Sequence, residues 1–399
     1  MRIVCLDQFS DFGGAQLCLR DVLEEVSRLG WQAEVMAPGA GPLLDFARDR
    51  GFAVQNLPLT RYSNGSKTAS DVLRFGVDML RSASILRRAL RERPADLIYV
   101  SGPRILPAVS GLGIPVLFHS HSLLDKQYAR IIAGWVLRSP NARVLTCSEF
   151  TARPLKTLVG AESVRVVYNG VSDHGFHLRN AAASPVQVGI LGRIAPEKGH
   201  LDFVRAAAAL PDRTNVQFSI TGAALFSGAT YEQSVRTTGA AAGVEFHGWT
   251  DNVSLALHDL DILVVPSAGH DASPRVILEA LSAGTCVVAY PSGGIPELIR
   301  DGYNGLLTEW PSAAELTDVI RGLAANTELR SRLAANGRRE WETRFRVERF
   351  RAEVCAEISK AATWREPVAS VRHSTSPARA SGHDARPSPP GTKFRTPAA

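Results

Sequence analysis

Short apolar runs rich in β-branched residues recur along most of this chain, and segments long enough to form helices separate them. The runs fall at residues 3–6, 33–36, 97–100, 116–118, 144–146, 164–167, 186–191, 216–220, 262–265 and 286–289. Apolar strands without strict polar alternation are buried on both faces, and strands joined by helices form parallel sheets. The pattern therefore predicts an α/β protein built from βαβ units.

Ten strands are too many for one sheet of a small domain, and 399 residues favour two or three domains. The best boundary lies at residues 178–185, where small and turn-forming residues separate two strand–helix series. We therefore predict Rossmann-like domains at residues 1–178 and 186–340. An apolar helical stripe at 341–360 needs a covering surface, and the stretch 365–399, rich in Pro and Ser, is predicted to be a disordered tail.

Charge and cysteine content exclude several classes of protein. The net charge is +6, of which residues 365–399 contribute +4 through six basic and two acidic residues. The nearly balanced charge elsewhere argues against nucleic-acid binding. The five cysteines are scattered without a C-x-x-C pair, so neither a disulfide framework nor a zinc site is expected. Residues 1–11 do not resemble a signal peptide and no apolar run reaches ~18–20 residues, so we expect a cytoplasmic protein with at most peripheral membrane contact.

Two basic residues follow the predicted strand at 186–191. Arg193 comes at its carboxyl end, and Lys198 comes just before the next predicted helix. Ligands bind at this edge of parallel α/β sheets, and a helix N-terminus favours an anion. The two cations together suit a diphosphate, and a solvated surface pair is the alternative. Neither G-x-G-x-x-G nor the P-loop pattern occurs, which argues against hydride transfer and P-loop hydrolysis.

One later segment combines a loop carboxylate with a helix carboxylate. Ser273 is predicted to cap a helix that begins at Pro274 and ends before Gly284. Asp271 then lies in the preceding loop, and Glu279 lies inside the helix between apolar neighbours. A buried carboxylate needs hydrogen-bond donors, which a pair of sugar hydroxyls would supply. A capping or salt-bridged glutamate is the alternative.

Three other features have simpler interpretations. His119 and His121 end the strand at 116–118, and we expect them to point to opposite faces, so that at most one faces a ligand. Asp259 and Asp261 imitate a D-x-D metal site, but Asp261 opens a buried strand, so we expect a turn or strand-edge role and no metal. The helical pattern at 70–93 carries six arginines, for which a solvated face is the default and contact with an anionic membrane the alternative.

The spacing of Asp271 and Glu279, with seven residues between them, resembles the E-x7-E donor motif of family 4 glycosyltransferases. Other segments that resemble the family follow in its order: Gly13-Gly14-Ala15 and residues 167–171, 192–199, 246–249, 284–289, 293–299 and 301–307. The resemblance covers residues 1–360. It implies the GT-B fold, in which two Rossmann-like domains with parallel sheets face each other across a cleft and the helix at 341–360 returns to the first domain.

The resemblance also implies an activity. It is the transfer of a hexosyl group, with retention of configuration, from a nucleotide-diphosphate sugar to a glycan or lipid-linked acceptor in the synthesis of cell-surface polysaccharide or glycoconjugate. The nucleotide sugar is a co-substrate, and neither a metal nor a further cofactor is implied. A GT-B nucleotide-sugar epimerase or phosphorylase and a non-catalytic GT-B scaffold are the alternatives.

The resemblance assigns roles to residues of both domains. Arg193 and Lys198 would bind the donor diphosphate and stabilise it as it leaves, which makes both catalytic candidates. Glu279 would bind the ribose hydroxyls. Gly13 and Gly14, which lack a Cβ, would let the first loop approach the donor from the opposite domain.

The same resemblance also implies which residues contact the transferred sugar and lie at the reaction centre. Asp271 would contact its hydroxyls, together with the backbone amides of Ala272 and Ser273. His119 or His121 would correspond to the family's histidine at the reaction centre, with His119 and Asp271 as the remaining catalytic candidates. This chain departs from the motif because Asp271 is one methylene shorter than Glu and the proline after Ser273 lacks an N–H, so the identity of the sugar stays open.

Overall fold

The computed structural model describes residues 1–60, 68–179, 185–210, 215–224 and 229–363. It contains two parallel sheets. The strands of the first sheet are β1 (Arg2–Asp7), β2 (Gln32–Pro38), β3 (Ala53–Leu57), β4 (Leu97–Ser101), β5 (Val116–Ser120), β6 (Ala142–Thr146) and β7 (Val164–Val166). Those of the second are β8 (Val186–Leu191), β9 (Val216–Thr221), β10 (Glu245–Gly248), β11 (Ile262–Val265), β12 (Cys286–Ala289) and β13 (Leu306–Leu307).

The strand orders are β3-β2-β1-β4-β5-β6-β7 and β10-β9-β8-β11-β12-β13. All ten predicted strands are confirmed, but the prediction missed β3, β10 and β13. Each of these lies at an edge of its sheet, where polar residues interrupt the apolar run because one side of the strand has no neighbour. β3 reads AVQNL, β10 reads EFHG, and β13 has only two residues.

Helices cover both faces of each sheet. Those on the first sheet are α1 (Gly14–Arg28), α2 (Pro42–Asp49), α3 (Ala69–Glu92), α4 (Gln127–Leu137) and α5 (Glu149–Val159). The remaining helices are α6 (His200–Ala209), α7 (Ala229–Ala241), α8 (Val253–His258), α9 (Arg275–Ala283), α10 (Ile295–Leu298), α11 (Ala313–Ala324), α12 (Thr327–Glu340) and α13 (Val347–Thr363). We call the first sheet with its helices the first lobe, and the second sheet with α6–α12 the second lobe. No described helix is long and apolar enough to cross a bilayer.

Each sheet separates two hydrophobic cores, as strands buried on both faces require. Along β1, Ile3 and Cys5 join one core while Val4 and Leu6 join the other. The strands of the second sheet divide in the same way between two cores of the second lobe. The predicted parallel α/β architecture is therefore confirmed.

The C-terminal stripe at 341–360 was predicted as one helix packed on the first domain. Instead, α12 continues into a π-helical turn at Trp341–Phe345, and Arg346 has extended backbone before α13 begins. Trp341 and Phe345 are buried in the core of the second lobe, so the prediction was wrong for them. Phe350, Val354 and Ile358 are buried in a core of the first lobe, where α13 packs on α1, as predicted.

The domain boundaries stay a prediction. The boundary proposed at 178–185 includes residues 180–184, which lie outside the described part of the chain. The predicted tail at 365–399 lies outside it as well.

Glu297 joins the lobes by capping a helix across the interface. Its two carboxylate oxygens accept hydrogen bonds from the backbone N–H groups of Glu149 and Phe150, each at 2.7 Å. These amides open α5, where they have no partner within the helix and where a negative charge is favourable. A residue of the second lobe thus stabilises a helix of the first.

The split of the C-terminal stripe leads to a prediction about stability. Phe350→Ala and Trp341→Ala each remove a buried ring, which costs about 3–5 kcal/mol. We expect Phe350→Ala to speed backbone hydrogen exchange mainly in α1 and β1, and Trp341→Ala mainly in α9 and β12. Each variant serves as the control for the other, and loosening of the same lobe by both would contradict the division.

Candidate active site

A cavity of about 1660 Å³ lies between the carboxyl ends of the strands of both lobes. From the second lobe, the loops after β8 and β11 line it. From the first lobe, the loop after β1, the start of α1 and the residues after β4 line it. Ligands bind at these edges of parallel sheets, and a cleft between two such edges is a common place for an active site. We call it the interlobe cavity.

Arg193 and Lys198 both line the interlobe cavity, on the loop between β8 and α6. Nη2 of Arg193 lies 2.5 Å from Oε1 of Glu197. Lys198 ends a short 3-10 turn, and Gly199 follows with φ +73° before α6 begins. A Cβ on Gly199 would lie 1.9 Å from the carbonyl oxygen of Pro266, so only glycine lets this loop pack on the loop after β11.

Asp271 faces Lys198. Its Oδ2 lies 2.5 Å from Nζ of Lys198 and accepts a hydrogen bond from Oγ of Ser267 at 3.1 Å. Asp271 is absent from the wall of the interlobe cavity, and only 15% of its side chain is exposed. The lysine holds this shorter acid, and the contact of Asp271 with the transferred sugar stays a prediction.

The predicted start of α9 is displaced by one residue. Pro274 has extended backbone and is the capping residue, so Ser273 is not the N-cap. Ala272 and Ser273 are buried, and Oγ of Ser273 has no hydrogen-bond partner in the described part of the chain. Gly284, with φ +85°, ends the helix as predicted.

Glu279 lies on the second turn of α9 and lines the interlobe cavity. Its carboxylate is mostly buried, as predicted, and Oε1 lies 3.8 Å from Nε of Arg275. Burial raises the pKa of Glu279 above its ordinary value, and the nearby Arg275 opposes this shift. Donors from a ligand would stabilise the ionised form, so this carboxylate is suited to accept hydrogen bonds from a pair of hydroxyls.

Arg275 is the site residue that sequence reasoning missed. It opens α9 in the second lobe, and its Nη1 lies 3.1 Å from Oδ2 of Asp21 on α1 in the first lobe. The same nitrogen donates to the carbonyl oxygen of Gly170 at 3.2 Å. The signal in the sequence is weak, because Asp21 is one of two charged residues, with Glu25, among the buried residues of α1.

Gly13 and Gly14 bring the start of α1 to the wall of the interlobe cavity. Gly13 is the N-cap, and its N–H donates to Oε1 of Gln16 at 3.2 Å. A Cβ on Gly14 would lie 4.0 Å from Cδ of Arg275, so the first lobe approaches the second closely here. A helix N-terminus that faces a cavity favours a negatively charged ligand.

The two histidines lie side by side, and neither is among the residues that line the interlobe cavity. Their ring centroids are 4.0 Å apart, so the expectation of opposite faces was wrong. Residues two positions apart lie on the same face of a strand, and β5 ends at Ser120, before His121. Nδ1 of His119 hydrogen-bonds the hydroxyl of Tyr99. Burial lowers the pKa of His119 well below its usual value and that of His121 to about 3, so both are neutral at pH 7.

The D-x-D pattern has the structural role that was expected. Oδ2 of Asp261 accepts hydrogen bonds from Nη1 of Arg179 at 2.9 Å and from the backbone N–H of Gln187 at 2.8 Å, at the edge of β8 and β11. Within the described ranges, no group of three or more His, Cys, Asp or Glu side chains is placed to hold a metal ion.

Comparisons with known proteins find matches for both halves of the chain. Residues 13–170 match the model of the glycosyl transferase 4-like domain, and residues 179–340 match that of glycosyl transferases group 1. The D-inositol 3-phosphate glycosyltransferase of Actinosynnema mirum is 32% identical over 295 residues, which are 64% of this chain and 70% of that protein. The lipopolysaccharide core biosynthesis glycosyltransferase LpsE of Rhizobium meliloti is 31% identical over 160 residues, 40% of this chain and 45% of its own length.

Solved structures agree on the fold. HepE from Anabaena in complex with UDP aligns with a TM-score of 0.77 at 23% identity, over 90% of this chain and 100% of that chain. A complex of the same protein with UDP-glucose aligns with a TM-score of 0.75. The predicted GT-B fold is confirmed, and the chain belongs to family 4 of the glycosyltransferases.

Proposed function

We propose that this glycosyltransferase moves a hexosyl group, with retention of configuration, from a nucleotide-diphosphate sugar to a glycan or lipid-linked acceptor. One observation carries the proposal: Arg193, Lys198 and Glu279 of the second lobe and the Gly13-Gly14 loop of the first lobe line one cavity. The name of the relative LpsE refers to lipopolysaccharide core biosynthesis, which supports an acceptor of cell-surface glycoconjugate synthesis. The nucleotide complexes of HepE support a UDP-sugar as the first donor to test.

The two cations would hold the donor diphosphate. Each already pairs with a carboxylate, Arg193 with Glu197 and Lys198 with Asp271. A diphosphate that enters between them would replace or share these contacts. As the bond between the sugar C1 and the phosphate oxygen breaks, both cations would stabilise the charge that develops on the leaving group.

The transfer itself would occur on one face of the sugar. The acceptor hydroxyl would form the new bond to C1 from the side that the phosphate leaves, and its proton would pass to a phosphate oxygen. This step needs the diphosphate to be held rigidly. The buried carboxylate of Glu279 would fix the nucleotide by accepting hydrogen bonds from the ribose hydroxyls, which would compensate its burial.

Asp271 would act through Lys198 rather than on the sugar. It is held by Lys198 and Ser267, and the cavity wall does not include it. We therefore propose that Asp271 is a positioning residue, which replaces the sugar contact that the family resemblance implies.

A donor screen tests the proposed function. A ligand that binds only the native state raises the melting temperature, so we expect one class among UDP-, GDP- and ADP-sugars to stabilise the chain. Product analysis with and without an acceptor then separates the reactions. Conversion of the sugar without an acceptor would indicate an epimerase, and donor binding without any transfer or hydrolysis would indicate a scaffold.

Removal of the ammonium group of Lys198 should slow the transfer of the sugar. We expect Lys198→Ala to lower kcat by roughly 10²–10³-fold, because a donor to the leaving group is lost, while the melting temperature changes little. Release of the nucleoside diphosphate measures the rate. Arg205→Ala, which removes an exposed cation of α6 that pairs with Asp202, is the matched control. Unaltered turnover in Lys198→Ala would refute the assignment.

Nucleotide binding distinguishes a positioning role of Asp271, through Lys198, from a direct contact of Asp271 with the sugar. Asp271→Asn removes a negative charge 2.5 Å from Lys198, so we expect free UDP to bind roughly three- to tenfold more tightly while transfer becomes slower. Calorimetric titration with UDP measures this, with Asp202→Asn as the control. A residue that contacts only the sugar would leave UDP affinity unchanged.

A further inference from the structure

Exposed apolar side chains concentrate on two helices of the first lobe. Seven of the fifteen large hydrophobic residues that are exposed in the described part of the chain lie on α3 and α4. On α3, Leu73 is 72% exposed and Leu80 is 73% exposed, and on α4 Ile131 and Trp135 are each 65% exposed. The others are Val72, Val77 and Tyr128. Single exposed apolar residues are ordinary, but such a concentration marks an interaction surface.

The two helices expose these residues on the same side of the lobe. Both pack on the short 3-10 segment Pro103–Val109, and their inward residues belong to one core. From α3 this core takes Met79 and Leu86, and from α4 it takes Val136 and Leu137. Because the inward faces share a core, the outward faces lie on the same side of the first lobe, and we call the two faces together the α3–α4 surface.

Positive charge surrounds the apolar residues. The exposed basic residues on or next to these helices are Arg74, Arg81, Arg87, Arg88, Arg91, Arg93, Lys126, Arg130 and Arg138. The acidic residues there are fewer: Glu92 pairs with Arg88, Asp125 pairs with Lys126, Asp71 is half-buried, and Asp78 is buried, where it accepts hydrogen bonds from Thr60. Leucine, isoleucine and tryptophan flanked by arginine are the composition of a surface that lies in the interface of an anionic bilayer.

The α3–α4 surface reaches the interlobe cavity. Val72 and Phe75 of α3 and Tyr128 and Ile132 of α4 line the cavity wall on the first lobe. Val72 and Tyr128 belong to the exposed set as well, so the apolar surface meets the cavity at these two residues, where Asp71 and Arg104 also line the wall. A headgroup in the cavity would leave its acyl chains beside the same helices.

We propose that the α3–α4 surface docks on an anionic lipid bilayer and that the acceptor enters the interlobe cavity from that bilayer as a lipid-linked glycan. The choice of a lipid-linked acceptor rests on the proposed transfer, whereas the docking surface rests on the exposed residues alone. Apolar side chains supply insertion, and the arginines supply attraction to lipid phosphates that weakens with salt.

The test is cosedimentation of the full chain with vesicles. We expect binding to vesicles of phosphatidylcholine with phosphatidylglycerol, much weaker binding to phosphatidylcholine alone, and weakening with added salt. The double variants Leu73→Gln/Leu80→Gln and Ile131→Gln/Trp135→Gln should each lower partition by roughly tenfold or more. Leu255→Gln/Trp310→Gln is the matched control, because these residues are 55% and 64% exposed in the second lobe.

Three outcomes would overturn the proposal. One is no binding to anionic vesicles, and another is an equal loss in the control variant. The third is a dimer in light scattering that the α3 or α4 variants convert to monomer, which would assign the surface to a second copy of the chain. The donor-induced rise in melting temperature is measured on the same preparations. If the donor stabilises the chain but the chain does not bind vesicles, only the docking is refuted. If no donor stabilises the unmodified chain, the result counts against the proposed transfer.

Discussion

A guanidinium buried between the two lobes is the contact on which the site depends. Arg275 opens the helix that carries Glu279, and it reaches Asp21 on the opposite lobe at 3.1 Å. Arg275 is 10% exposed and Asp21 is 1% exposed. Breaking a buried pair costs up to about 3–5 kcal/mol, and without Arg275 the carboxylate of Asp21 would keep the contacts with Arg20 and Arg351, each at 3.4 Å. The same side chain therefore fixes the helix that carries Glu279, favours the ionised form of that carboxylate and joins the lobes.

The second constraint is the close packing of backbone at the edge of the second sheet. Gly199 lies against the carbonyl oxygen of Pro266, and a Cβ on Gly294 would lie 2.0 Å from the carbonyl oxygen of Ala272. These contacts hold three loops together without side chains between them. Their positions leave Lys198 and Asp271 within ion-pair distance. The geometry around Lys198 and Asp271 is thus largely set by backbone packing, which side-chain substitutions elsewhere on the surface would not move.

The sequence was sufficient for those features that depend on local pattern and on topology. Buried strands appear as apolar runs. A residue between the end of a parallel strand and the start of the next helix lies at the binding edge of the sheet, and this rule correctly predicted that Arg193 and Lys198 lie at the cavity. Features that depend on tertiary contacts were missed. The edge strands lack an apolar run, Asp271 turns to a lysine 73 positions away, and Arg275 finds its partner 254 positions away. The error for His119 and His121 has a different cause, since the period of a strand alone places them on one face.

The break at Arg346 has a consequence for the exchange of lobes between related proteins. The chain crosses between the lobes near residue 171 and returns at Arg346, where these two residues form a bridge. Trp341 and Phe345 complete the core of the second lobe, and α13 completes that of the first. In a chimera whose second lobe comes from a related protein, the segment from that protein should therefore extend to the bridge at Arg346. The helix α13 should come from the protein that supplies the first lobe. With a junction at the end of α12, Trp341 and Phe345 would come from the protein that supplies the first lobe, although their rings pack in the core of the second.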